Sequence, residues 1–294
     1  MTGIFIDINL AEAITTSVFA FVQEHGDSFH QITKALLSGL LVPLEKGLLA
    51  IPAWLFLLAV AALAWHASRR VGLALFLTFS LYLIGCFGLW DKLMQTLALM
   101  LVSTVLTLLV GMPLGIWMST SERLRKWLVP MLDVMQTLPT FVYLVPVLML
   151  FGLGKVPAVF ATVIYALPPL VRLTDLGIRQ VDSEILEAAR SFGLTRWQLL
   201  KSVQLPLARP SIMAGLNQAI MMALAMVVIA SMIGARGLGE DVLAGINNLD
   251  IGRGLQGGLA IVILAVVIDR IAQAYGSGRR ERALLVQRKI EVAA

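Results

Sequence analysis

Long apolar runs alternate with short polar interruptions along the chain, and a single interruption is long. Apolar stretches near 48–66, 71–90, 93–119, 128–152, 156–178, 208–233 and 255–275 each hold about the 20 residues that a helix needs to cross hydrocarbon. They predict an all-α polytopic membrane protein with about seven transmembrane helices. Pro113, Pro130, Pro139, Pro146, Pro168 and Pro169 fall in or beside these stretches, which a membrane helix tolerates where neighbouring helices or water satisfy the freed backbone. Residues 1–46 differ. Asp7, Glu12, Glu24, Asp27, Lys34 and Glu45 interrupt the apolar positions, so Ile14 to Val22 and Ile32 to Leu44 read as amphipathic helices lying in the membrane interface. Residues 47–92 then supply two spans, 93–276 supply five, and 277–294 form a basic tail.

The long interruption, residues 182–206, reads DSEILEAARSFGLTRWQLLKSVQLP. Asp182 or Ser183 caps a short helix, Glu184 and Glu187 fall in its early turns, and Gly193 suits the left-handed residue just past its end. Thr195 followed by Gln198 is a capping-box pair for a second helix, with Pro206 expected to stop it. The result is a polar helical hairpin between two spans. Ala188 and Ala189 give it a small-residue surface that another protein can approach closely. From these signals alone, an ordinary amphipathic loop is an equal reading.

Composition agrees with a membrane protein. Hydrophobic residues make up 59% of the chain and charged residues 14%, with mean hydropathy +0.87, too apolar for the charged surface of a soluble domain. The net charge of +5 does not mark a nucleic-acid partner, because the basic residues are dispersed among loops. They are asymmetric about the apolar runs, however. If the hairpin is cytoplasmic, most of the 23 basic residues lie on its side, including Arg69, Arg70, Arg123, Arg125, Lys126, Arg172, Arg179 and the tail arginines. Lys34, Lys46, Lys92, Lys155, Arg236 and Arg253 remain outside. The positive-inside rule then sets the N-terminus outside and the C-terminus in the cytoplasm.

Catalytic chemistry is missing from the pattern. No Gly-x-x-x-x-Gly-Lys-Ser/Thr sequence occurs, so no P-loop binds ATP. The histidines His25, His30 and His66 have no metal-site spacing, the lone Cys86 excludes an internal disulfide, and Ser191 and Ser211 have no histidine beside them. No cofactor is expected in this chain. Asp133, Asp175 and Asp269 sit near the hairpin-side ends of spans and read as local ion pairs, with Asp269 beside Arg270. That placement counts against an ion-coupled carrier, which needs acids deeper in the membrane. Glycines in 234–254 read as tight turns around a short re-entrant or interfacial helix, and Gly111 and Gly115 as a close helix crossing. Met135, Gln136, Thr137, Tyr143, Asn217 and Met221 are candidates for a translocation path, because polar groups in hydrocarbon face a helix interface or a pore. Simple helix packing is the competing reading for each.

Spacing narrows the reading. Glu187-Ala188-Ala189, then Gly193, then Val203-Gln204-Leu205-Pro206 resembles the EAA loop of ABC-importer permeases, with Val203 standing where isoleucine is usual. Residues 132–139 (LDVMQTLP), 165–175 (YALPPLVRLTD), 177–180 (GIRQ) and 212–218 (IMAGLNQ) resemble permeases of the glycine betaine/choline importers. The likeness covers roughly residues 70 to 275. It implies a five-helix type I importer core and a cytoplasmic coupling hairpin that docks on a separate ATPase subunit, where ATP and magnesium bind. It further implies a second permease copy, two ATPase subunits and an extracytoplasmic substrate-binding protein in a bacterial inner membrane. Glu187, Ala188, Ala189, Gly193, Leu205 and Pro206 would form the ATPase-coupling element, Glu187 holding the first helix through hydrogen bonds at its N-terminus. The cargo implied is glycine betaine, choline or a similar solute. An amino acid such as proline or methionine is the alternative within importers, and an ATPase-independent channel or ion-coupled carrier the alternative outside them.

Overall fold

The computed structural model describes residues 29–276 together with Glu12, Thr16 and residues 24–26. The expected helix over Ile14 to Val22, apart from Thr16, and the basic tail 277–294 lie outside the described residues. Every regular element among the described residues is helical. The expected helix beginning at Ile32 is present but longer. It passes through a π-helical turn, Leu37–Leu41, and continues as α1 (Val42–Ala50).

The chain then bends by 101° into α2 (Ala53–Ser68). Ile51 is extended, with φ −73° and ψ 123°, because the ring of Pro52 disfavours a helical conformation in the residue before it. The predicted span at 48–66 therefore consists mainly of α2, and the bent pair joins α2 to the helix that ends at Ala50. Next come α3 (Val71–Cys86), α4 (Trp90–Thr120) and α5 (Glu122–Thr137). A 3₁₀ turn, Thr140–Tyr143, leads into α6 (Leu144–Phe151). The single span expected over 128–152 is broken: the axis turns by 113° between α5 and the helix that follows. The cause is the same, since Leu138 is extended at ψ 134° ahead of Pro139.

The remainder comprises α7 (Lys155–Arg179), α8 (Ser183–Ser191), α9 (Arg196–Leu199), α10 (Leu205–Ser231), α11 (Leu238–Asn247) and α12 (Ile251–Gly276). Among the described residues, four helical stretches suffice by length and composition to cross a membrane, Trp90–Thr120, Lys155–Arg179, Arg196–Ser231 and Ile251–Tyr275, or up to six if each bent pair is one span. The apolar α3 has 16 residues, or about 24 Å, short of a bilayer core of about 30 Å.

The centre of the protein is the stack of α4, α7 and α10. Of the most apolar window of α7, 61% is buried, against 22% for α12, which puts α7 inside and α12 at the edge. Glycines let these backbones meet. A Cβ at Gly115 would lie 2.7 Å from Thr174 Cβ, and one at Gly111 would lie 3.0 Å from Leu170 Cδ2. The expected Gly-x-x-x-Gly crossing is thus the α4–α7 contact. Gly177 faces Ser211 Cβ at 2.6 Å in the same sense, which joins α7 to α10. One core cluster joins Leu77 and Leu81 of α3, Leu93 and Met94 of α4, Leu224 of α10 and Leu264 of α12. A second gathers Leu99, Leu144, Val159 and Met226 around α4, α6, α7 and α10. The short helix expected between residues 234 and 254 is α11.

Candidate functional site

The hairpin of α8 and α9 stands at the end of the central stack. Its caps form as the local sequence requires. Asp182 Oδ1 accepts from the Glu184 N–H at 2.9 Å, satisfying one orphan donor of the first turn. Gly193 has φ +79°, and its N–H donates to the Arg190 carbonyl at 2.8 Å while Leu194 N–H reaches the Ala189 carbonyl at 3.4 Å. Those bonds close the end of α8. A Cβ at Gly193 would meet no atom within 4 Å, so backbone conformation, not space, demands glycine there. The capping box is complete: Thr195 N–H donates to Gln198 Oε1 at 2.9 Å, and Gln198 N–H donates to Thr195 Oγ1 at 3.4 Å.

Two expectations for the hairpin fail. Pro206 does not stop the second helix. α9 runs through a π-helical turn, Leu200–Gln204, directly into α10, giving a helix of 36 residues from Arg196 to Ser231. The wider i→i+5 turn places Leu205 N–H on the Leu200 carbonyl and accommodates a residue that lacks a donor. Leu205 and Pro206 therefore belong to the long helix. Nor does Glu187 hold the helix start: it lies a full turn past Ser183 and is exposed, and Asp182 does the capping. Ala188 is exposed and Ala189 half-buried. Ile185, Phe192 and Trp197 add exposed apolar side chains to the same element.

Charge braces the hairpin's root. Asp175, buried near the end of α7, accepts from Arg179 Nε at 2.8 Å and from Arg125 Nε of α5 at 3.3 Å. Arg179 also pairs with Glu122 and donates to the Met118 carbonyl at 3.3 Å, and Arg172 pairs with Asp133. The ion pairs expected for Asp133 and Asp175 are present. Asp269 departs from expectation: it accepts from Asn217 Nδ2 at 2.8 Å and from Gln273 Nε2 at 2.8 Å instead of pairing with Arg270. In a helix, residues one apart point in different directions, whereas Gln273 is four residues on and shares the face.

The opposite end of the stack carries a second charged cluster that local sequence patterns do not mark. Buried Asp241 of α11 accepts from Lys92 Nζ of α4 at 2.6 Å and from Arg253 Nε of α12 at 2.8 Å. Thr96 Oγ1 accepts from the Leu238 N–H at 2.8 Å. Lys155 pairs with Glu45 at 2.5 Å.

The path candidates fall into two groups. The Tyr143 hydroxyl donates to the Met135 carbonyl across the α5–α6 break, with the Tyr165 ring 5.8 Å away edge-on. Gln136 and Thr137 are exposed beside them. Asn217 and Met221 lie on α10; Asn217 faces Asp269 of α12, and Met221 packs on the cluster around α2, α3 and α12. A cleft of about 1170 Å³ lies between the hairpin and the end of α4, with Ile116, Trp117, Thr120, Arg190, Arg196 and Trp197 among its lining residues. None of the six path candidates lines it.

Bundled apolar helices with a capped polar hairpin at one end are the architecture of a membrane-embedded subunit. The chain belongs to the family of binding-protein-dependent transport system inner membrane components, whose pattern it matches over residues 108–281. It is 52% identical over 238 residues to the glycine betaine/proline betaine transport system permease protein ProW of Escherichia coli, covering 81% of this chain and 67% of that one. It is 46% identical to the glycine betaine transport system permease protein OpuAB of Bacillus subtilis, covering 90% and 94%. Of the Salmonella typhimurium ProW protein it spans 62%. Among solved structures, a chain of the MetNI methionine ABC transporter, in an inward-facing conformation, superposes with TM-score 0.55 at 22% identity, covering 66% of this chain and 95% of that one. That likeness establishes the shared fold.

Proposed function

We propose that this chain is the permease subunit of a binding-protein-dependent ABC importer that carries a quaternary ammonium solute, glycine betaine or a close relative, into the cell. The observation that carries the reading is the near full-length match, at 46% and 45% identity, to permeases named for glycine betaine and for glycine betaine/carnitine transport. The hairpin supports it: a rigid, capped, small-residue element at the root of the longest helix is what docking on a separate motor subunit requires. In this reading ATP and magnesium bind the partner ATPases, two permease copies enclose the path, and an extracytoplasmic protein delivers the solute. The hairpin faces the cytoplasm, with the N-terminus outside, because Arg123, Arg125, Lys126, Arg172, Arg179, Arg190 and Arg196 gather at that end. Met135, Gln136, Thr137, Tyr143, Asn217 and Met221 remain path candidates, to be brought together across the paired copies.

The test is co-purification with the cognate ATPase in nanodiscs, then ATP turnover with and without betaine-loaded binding protein. Stimulation by the loaded protein supports the reading. A stable complex indifferent to betaine, choline and carnitine keeps the importer and removes the cargo. An amino-acid cargo, as in the methionine transporter of like fold, would appear as stimulation by that amino acid's binding protein.

A further inference from the structure

We infer that the cleft between the hairpin and α4 is a binding site for an anionic phospholipid of the leaflet that borders the hairpin. Three independent observations converge on it. The first is charge. Arg125, Arg172 and Arg179 are each bonded to a carboxylate, whereas Arg190 and Arg196, which line the cleft from the end of α8 and the start of α9, have no side-chain partner among the described residues. No acidic residue lines the cleft. Two arginines without counter-ions match the oxygens of a phosphate.

The second is depth. Trp117, 61% exposed, and Trp197, 69% exposed, flank the cleft. Tryptophan favours the level of the lipid headgroups, where its ring is in apolar surroundings and its N–H is wet. The third is the surface leading away from the cleft. Leu101, Val105, Leu109, Pro113 and Trp117 recur every fourth residue along α4, and all are exposed. They form one apolar track of 17 residues, about 24 Å end to end, which suits an extended acyl chain. A soluble phosphate would use the arginines but not the track, and an apolar protein helix would use the track but not the arginines. A phospholipid uses both.

The inference rests on the orientation proposed above, which can be tested by itself. With Cys86 replaced by serine, a cysteine placed at Ser191 should react with an impermeant thiol reagent only from the cytoplasmic side. The lipid site is tested on the purified permease in detergent by native mass spectrometry, titrating phosphatidylglycerol and phosphatidylcholine of identical chains. Phosphatidylglycerol should bind about tenfold more tightly, given two cations at the headgroup. Arg190→Gln with Arg196→Gln should remove the preference, and the matching lysine pair should restore part of it. Neutralising Lys201 and Arg209, exposed residues that do not line the cleft, should leave it intact. Trp117→Ala should weaken both lipids. Equal binding of the two lipids overturns the site, as does displacement of phosphatidylglycerol by soluble glycerol 3-phosphate. Expulsion of bound lipid when the ATPase is added also overturns it, by assigning the cleft to that partner.

Discussion

The two ends of the helical stack solve the same problem in different ways. At the far end Asp241 is buried and ties α11 to α4 and α12 through Lys92 and Arg253. At the hairpin end the ion pairs stop at the root, where Asp175 gathers Arg125 and Arg179, and the hairpin beyond is held by its own caps. The difference is one of coupling to the core. An element pinned by a buried carboxylate with two cationic partners moves only with its neighbours. An element closed by local hydrogen bonds keeps its shape while it changes place, which the docking proposed for the hairpin would require.

That contrast can be broken from either side. Asp241→Ala removes the buried acceptor shared by two partly exposed cations and should cost about 2–3 kcal/mol, read as a large fall in the thermal midpoint of the purified protein. Asp241→Asn should be milder, since the amide oxygen still accepts from one partner. Next in size, Gly177→Val drives a side chain into Ser211 of α10, where even a Cβ would lie at 2.6 Å, and should cost about 1–3 kcal/mol through overpacking. At the hairpin the expected signature reverses. Gly193→Ala puts a Cβ at φ +79° and should cost about 1 kcal/mol, seen as faster hydrogen exchange across residues 188–198 with the global midpoint nearly unmoved. Smallest is Thr195→Ala, about 1 kcal/mol or less for a lost cap, again local to α9, with ATP turnover in the complex reduced more than stability. If Gly193→Ala lowered the global midpoint as far as Asp241→Ala, the two ends would not differ in kind.

The same contrast explains what could be read in the sequence. The Asp182 cap, the turn at Gly193 and the Thr195–Gln198 box are legible because each bond spans two to five residues, and the residue types that make it stand close together. The Gly111–Gly115 crossing was legible from spacing alone, though not its partner helix. Asp241 was not, because Lys92 lies 149 residues away and nothing local distinguishes it from a solvated loop acid. Asp269 beside Arg270 misled for the opposite reason: adjacency in the chain is not adjacency on a helix. Proline was read in the wrong direction twice. Pro206 was expected to end a helix that a π turn carries past it, while Pro139, expected within a span, breaks that span in two. Whether a proline stops, bends or is absorbed depends on the turn before it, which composition does not reveal.

The π turn has a mechanical consequence. Because it keeps Arg196 to Ser231 a single helix of 36 residues, that helix runs continuously for about 54 Å. Gripped at its hairpin end, such a helix is a lever: a tilt of roughly 5° about that end sweeps the other through about 5 Å. The bent pair at Pro139 has no such continuity and would absorb the same rotation at its joint. A small stroke applied at one membrane surface would thus be delivered, amplified, at the other.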